Sequence, residues 1–171
     1  VATPRSVRWL LARDDGDPMT SNARSELARR GVAGERIVFA ARRAEPDYLA
    51  LFGAADIVLD TWPYNAHTTA SDALWMNCPV VTRLGETFAG RVGASLLHAA
   101  GLSELVADNT EGYIALAIAL ASDPDRRALL RAKLLRARSE SPLFDAAAIT
   151  RHVERAFEAM VEQRNNARRE S

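Results

Sequence analysis

Apolar positions fall in short blocks along the chain, and the spacing within them changes from block to block. Ser6–Ala12 (Ser-Val-Arg-Trp-Leu-Leu-Ala) predicts a strand, and Ser21–Arg30 a helix with Gly31 as its stop. Arg36–Ala41 predicts a second strand, followed by a short helix over Asp47–Phe52 that Gly53 ends. Asp56-Ile57-Val58-Leu59-Asp60 is a near-continuous apolar run, the pattern of a strand buried on both faces. Thr61–Ala66 reads as a loop, His67–Asn77 as a helix, Pro79–Thr82 as a strand, and Ala89–Ala100 as a helix stopped at Gly101. Strand and helix alternate with short connections. That order predicts right-handed βαβ crossovers: an α/β, Rossmann-like parallel sheet of about four strands with flanking helices.

The tail has a different character. Asp123-Pro124 is a helix start, with a cap residue and a proline in the first turn. Leu129, Leu130, Leu134 and Leu135 form a stripe among arginines. A last helix from about Asp145 places Ile149, Val153, Phe157, Met160 and Val161 on one face, which is expected to pack on the domain. Gln163–Ser171 is polar and expected to fray. The chain thus divides into a βαβ core (1–106), C-terminal helices (107–164) and a frayed tail (165–171), all within one lobe.

Composition narrows the function. The chain has 171 residues, 48% of them hydrophobic, enough for one buried core but not two ordinary domains. Its 22 basic and 22 acidic side chains balance, which gives no reason to expect nucleic acid or an anionic membrane as partner. Lys133 is the only lysine, so chemistry that needs a lysine elsewhere in the chain is excluded. Cys78 stands alone, which rules out a disulfide framework or a thiolate metal cluster and fits a reducing compartment, the cytoplasm. No apolar run approaches the roughly 20 residues of a membrane span, and no signal-peptide pattern opens the sequence. A chain that begins at Val1 and enters a strand almost at once reads as part of something longer.

Ligands of open parallel sheets sit beyond the carboxyl ends of the strands. The loop Asp60-Thr61-Trp62-Pro63-Tyr64-Asn65-Ala66 falls there and leads into His67-Thr68-Thr69-Ala70-Ser71-Asp72. A helix N-terminus offers unpaired N–H groups and a positive dipole end, both suited to phosphate. Thr68 and Thr69 add hydroxyl donors, and the His67 imidazole can donate to a phosphate oxygen. Asp72, one turn in on the same face, can accept from a ribose diol. Ordinary capping explains the same Ser, Thr and Asp residues without any ligand.

The run from Ala55 through Met76, with Asn65-Ala66-His67-Thr68-Thr69-Ala70-Ser71-Asp72 at its centre, resembles the C-terminal catalytic lobe of the protein O-GlcNAc transferase family in its bacterial and plant SPINDLY-like forms. Pro79–Thr82, Gly85–Leu96 and Ser141–Asp145 continue the likeness, so it covers nearly the whole chain. The resemblance implies a GT-B glycosyltransferase, two Rossmann-like lobes with the donor between them, and this chain as the C-terminal lobe with extra helices. It implies UDP-GlcNAc or a related nucleotide sugar as donor, a protein Ser or Thr as acceptor, and no cofactor or metal. His67, Thr68 and Thr69 would meet the diphosphate and Asp72 the ribose. The family commonly places a histidine near the uridine on the helix before the Ala55-Asp56 strand; Tyr48 stands there here. It also places a lysine on the lobe's first segment, at the leaving UDP. This chain starts downstream of that segment, and Lys133 lies elsewhere. The N-terminal lobe and the usual preceding tetratricopeptide-type repeats, which would meet the acceptor, are not in the sequence, so the chain alone is expected to be inactive.

Two other readings remain open. A nucleotide-binding or protein-interaction module without catalysis would keep the same contacts. A receiver-like signalling domain would use Asp14-Asp15 and Asp60 as an acidic pocket with Thr82 on the next strand, but it needs a lysine after a further strand that this chain lacks. Leu74, Trp75 and Met76 read as core, and Cys78 as a small buried hydrophobe. His98 and His152 carry no assigned role, Arg91 either caps the site or pairs with Glu86, and Trp62 and Tyr64 line the sugar or pack the loop.

Overall fold

The computed structural model describes residues 8–11, 18–41 and 43–168. The Asp14-Asp15 pair lies outside them, as do the ends of the Ser6–Ala12 strand and residues 169–171. Among the described residues, five strands and seven α-helices follow one another. They are β1 (Arg8–Leu11), α1 (Pro18–Arg29), β2 (Ile37–Ala40), α2 (Glu45–Ala54), β3 (Val58–Leu59), α3 (Thr68–Trp75), β4 (Val80–Arg83), α4 (Val92–Ala99), β5 (Val106–Ala107), α5 (Thr110–Ser122), α6 (Pro124–Glu140) and α7 (Ala146–Ala167). Strand and helix alternate as far as α5; β5 and α5 are not among the expected elements.

All pairing is parallel. Among the described residues the strands form two ladders, β1 with β2 and β3-β4-β5, rather than one sheet of four. β4 is the central strand of the second ladder, with Val80, Val81 and Thr82 fully buried. Among the described residues β3 pairs only on its β4 side, Val58 opposite Val80 and Leu59 opposite Val81. It is therefore an edge strand of two residues, and Leu59 is 39% exposed, not the strand buried on both faces that its apolar run predicts.

Three helices stop by one mechanism. Gly31 after α1, Asn77 after α3 and Gly101 after α4 all have φ between 59° and 74°, a left-handed conformation. In each, the next residue's N–H reaches back to the helix: Val32 to Leu27 O, Cys78 to Ala73 O and Leu102 to Leu97 O. This is the Schellman closure, which satisfies carbonyls that the helix leaves unpaired. Gly53, by contrast, lies inside α2, which starts two residues earlier than expected and continues to Ala54.

Core packing joins α3, α4, α5 and α6 around β4 through Leu74, Val80, Val81, Leu97, Leu120 and Leu134. On α6 only Leu130, Leu134 and Ala137 are buried, while Leu129 and Leu135 face solvent, so the leucine stripe is narrower than its sequence suggests. Arginines of α6 tie neighbouring helix ends. Arg127 donates to the carbonyls of Leu120 (2.6 Å) and Ala121 (3.1 Å), and Arg131 to that of Asn77 (3.4 Å) and to that of Ala55. Cations at helix C-termini both pair the last carbonyls and oppose the dipole.

The last helix corrects the sequence reading. No side chain of α7 is buried: Phe157 and Met160 are both 62% exposed, and Ile149, Val153 and Val161 are exposed as well. Its apolar stripe is present, and near its start the helix packs on the Pro142–Phe144 turn. Periodicity specifies which face is apolar and not what meets that face. The helix also persists to Ala167, past the point where fraying was expected.

Candidate functional site

The site is built where β3 and β4 end. α3 begins at Thr68, with His67 as N-cap residue in a non-helical conformation (φ −103°, ψ −93°) and no side-chain cap of its own. The first helical bonds run from the N–H groups of Ala70 and Ser71 to the His67 carbonyl, both at 3.1 Å. The N–H groups of Thr68 and Thr69 precede them and have no hydrogen bond among the described residues. His67 Nε2 is buried and also has no partner. Ring contacts hold the imidazole: Tyr64 stacks on it at 5.0 Å and 12°, and Phe88 meets it edge-on at 6.1 Å and 87°.

Asp72 lies one turn into α3, half-buried, and its Oδ2 accepts the Tyr48 hydroxyl at 3.2 Å. The structure therefore brings all five sequence-chosen residues, Tyr48, His67, Thr68, Thr69 and Asp72, to one end of α3. Burial pushes the Tyr48 phenol above its ordinary pKa, and the nearby Asp72 carboxylate pushes the same way against a hydrogen bond with Thr69. A protonated phenol beside Asp72 is a donor, which fits the bond observed.

The loop into α3 is held from within. Asp60 is 7% exposed; its Oδ1 accepts from the N–H groups of Thr61 (2.8 Å) and Ala66 (2.6 Å), and its Oδ2 from the Thr82 hydroxyl (2.6 Å). Asn65, fully buried, donates to the Thr61 carbonyl at 2.9 Å and accepts from the Gly93 N–H at 3.4 Å. Tyr113 on α5 donates to the Asp60 carbonyl at 2.9 Å. Sequence reasoning missed these supports; three are local to the loop, while the bonds to Thr82, Gly93 and Tyr113 join positions 22, 28 and 53 apart. The Trp62–Pro63 peptide in the loop is cis.

Outside the loop, Phe88 is 81% exposed, and Trp62 and Tyr64 are exposed too. Arg83, at the end of β4, lies 4.2 Å over the Trp62 ring and donates to Thr110 Oγ1 at 2.9 Å. Arg91 donates to the Gly85 carbonyl at 3.3 Å, and no ion pair with Glu86 forms among the described residues. Trp75 is half-exposed rather than core, packed against Phe144 at 5.3 Å with Arg138 over its ring at 4.8 Å. Leu74 and Cys78 are fully buried, as expected. Among the described residues no three His, Cys, Asp or Glu side chains gather closely enough to hold a metal ion. What the end of α3 presents is a set of donors with one carboxylate a turn behind.

Comparison with known proteins bears on the chain as a whole. The model of glycosyl transferase family 41 matches residues 1–153. The UDP-N-acetylglucosamine–peptide N-acetylglucosaminyltransferase of Caenorhabditis elegans is 39% identical over 143 residues, 83% of this chain and 12% of that protein. A probable UDP-N-acetylglucosamine–peptide N-acetylglucosaminyltransferase SPINDLY of Solanum lycopersicum is 42% identical over 114 residues, 67% of this chain and 12% of that one. In structure, a mutant of the Thermobaculum terrenum O-GlcNAc transferase superposes with a TM-score of 0.84 at 39% identity, covering 92% of this chain and 30% of that one. The chain thus spans about an eighth of the curated relatives it matches. No helix among the described residues is long and apolar enough to cross a membrane.

Proposed function

The chain belongs to glycosyl transferase family 41, and from that premise we propose that it is the donor-binding part of a protein O-linked N-acetylglucosaminyltransferase, with UDP-GlcNAc as the donor. Its fold is that of a GT-B lobe, the α/β architecture shared with the Thermobaculum enzyme. In this reading the N–H groups of Thr68 and Thr69 and the His67 ring meet the diphosphate. Asp72 accepts from the ribose hydroxyls, and Tyr48 lies toward the base.

One observation carries the reading: at the start of α3, two backbone donors and a buried imidazole nitrogen stand together without partners. Buried polar atoms are nearly always hydrogen-bonded, so an orphan at a helix N-terminus marks a place for an acceptor. Diphosphate supplies several. As the glycosidic bond to the donor breaks, negative charge grows on the leaving phosphate. Fixed donors aimed there stabilise the transition state more than the ground state. The reading needs no metal, because the helix terminus and imidazole meet that charge.

The chain covers 30% of the Thermobaculum enzyme, and the reading assigns it donor binding alone. The acceptor, a protein Ser or Thr, is met elsewhere in a full-length protein, and the chain by itself transfers no sugar. Holding two reactants together is worth on the order of 7–11 kcal/mol in favourable cases, and one half of a cleft forgoes that gain.

Calorimetric titration tests the assignment. UDP and UDP-GlcNAc should bind the chain, and Asp72→Ala should weaken both by about 1.5–3 kcal/mol, the usual worth of a charged hydrogen bond. GDP binding as tightly as UDP would remove the uridine assignment. Equal affinities for the wild type and Asp72→Ala would remove the ribose one.

A further inference from the structure

We propose that Asp60 is a positioning residue for this site, its buried carboxylate clamping the loop that sets His67 and the first turn of α3 in place. The inference rests on the donor-site reading above but concerns a residue that does not touch the ligand.

Asp60 Oδ1 accepts from the N–H of Thr61 at one end of the loop and of Ala66 at the other, at 2.8 and 2.6 Å. One oxygen atom therefore closes the whole turn, and Ala66 directly precedes His67. The other oxygen is anchored to the Thr82 hydroxyl on β4, a fully buried side chain, at 2.6 Å. All three partners are neutral donors, and among the described residues Asp60 has no ion pair. A buried carboxylate held by neutral groups alone costs desolvation that an apolar residue would avoid. Hydrogen-bond geometry is what the carboxylate contributes in return.

The fit is tight on its far side. A Cβ added at Gly93 would fall 2.4 Å from Asp60 Oδ2 and 2.7 Å from Thr82 Oγ1, so α4 starts directly against the anchored oxygen. The positive end of the α4 dipole favours the anion there. His67, in turn, has no side-chain cap to fix its non-helical backbone. The loop fixes it instead, and the same loop delivers Tyr64 to the face of its ring. Releasing Asp60 should therefore move His67 and Tyr64 together while the core around Leu130 and Leu134 stays as it is.

Three variants of the chain test this: Asp60→Ala, Asp60→Asn and Thr82→Val. The readouts are the His67 ring resonances and the Thr68 and Thr69 amide resonances without ligand, then UDP affinity. Asp60→Ala should shift or broaden those resonances, leave the amides of Leu130 and Leu134 unchanged, and weaken UDP binding by about tenfold. Asp60→Asn can keep both backbone bonds through its amide oxygen and donate to Thr82, so it should restore the His67 signature and bind UDP within about threefold of wild type. Thr82→Val removes only the β4 anchor and should give an intermediate His67 shift. Should Asp60→Ala not fold, the other two variants decide. Wild-type His67 resonances in Thr82→Val together with lost ones in Asp60→Asn would overturn the proposal, as would wild-type resonances in a folded Asp60→Ala. If the wild-type chain binds no UDP, the donor-site reading fails, while the unliganded His67 resonances still judge the clamp.

Discussion

The Tyr48 hydroxyl donates to Asp72 Oδ2 at 3.2 Å, joining α2 to α3 at the end of the helix where the nucleotide is proposed to bind. Tyr48 also meets Phe52 edge-on at 5.1 Å, so its ring is fixed by packing as well as by its hydroxyl. Tyr48→Phe keeps the packing and removes the donor. UDP affinity should fall by about 0.5–1.5 kcal/mol, the worth of an ordinary hydrogen bond, because Asp72 is then less well oriented. Calorimetry on the purified variant checks this. An affinity above wild type would mean that the hydroxyl competes with the ribose for the carboxylate.

His67 should separate binding from turnover. In a full-length family member carrying this lobe, His67→Ala should lower kcat more than it raises KM, since its bond to phosphate strengthens as charge develops. Thr68→Ala and Thr69→Ala should cost less, because the backbone N–H groups remain. Steady-state kinetics with varied UDP-GlcNAc decides. A change confined to KM would assign His67 to ground-state binding.

The exposed stripe of α7 makes a stability prediction. Phe157→Ser and Met160→Ser remove side chains that are 62% exposed and should change the free energy of unfolding by no more than about 0.5 kcal/mol. Leu134→Ala, in the fully buried face of α6, should cost about 2–5 kcal/mol. Urea unfolding of the three variants compares them directly. A large loss at Phe157 would show that α7 packs on the domain in solution.

Alkaline pH should weaken the fold through two acids, the buried Cys78 thiol and the half-buried Tyr113 phenol. Burial pushes the Cys78 thiol up to about 12 from an ordinary value of 9.0, against the pull of Arg131. Burial and the Asp60 charge push the Tyr113 phenol up to about 12 from 10.0. Both groups are neutral when protonated and hold their protons more tightly when folded. Their contribution is therefore complete below pH 9.0 and is lost progressively as pH rises toward about 12. Melting temperatures across that range should fall steadily, and Cys78→Ala should flatten the part that begins at the thiol's ordinary value. A flat wild-type profile would contradict the burial of both groups.

Much of this architecture is legible in the sequence, and the rest fails for identifiable reasons. β1 to β4 and the start of α3 follow from alternation and from stop signals at Gly31 and Gly101, which depend only on local backbone preference. β5 has two residues, too few to show a period. α5, Thr-Glu-Gly-Tyr-Ile-Ala-Leu-Ala-Ile-Ala-Leu-Ala-Ser, is apolar nearly all round and shows no stripe, although Asn109 caps it. The outlying leucines of α6 and the face of α7 show the opposite failure, a stripe without a partner. At the site, His67, Thr68, Thr69 and Asp72 are neighbours in sequence and were found by their type. Asp60 and Thr82 are 22 positions apart, and only the parallel pairing of β3 with β4 brings them together.

The central claim is that the start of α3 binds the diphosphate of a UDP-sugar. The most direct test is a titration of the isotope-labelled chain with UDP, followed at the backbone amides. Saturable shifts should be largest at Thr68 and Thr69, the two N–H groups left unpaired at the head of the helix, and should weaken sharply in Asp72→Ala. Saturable binding that leaves the amides of residues 67–72 unmoved, or no binding at all, would contradict the account.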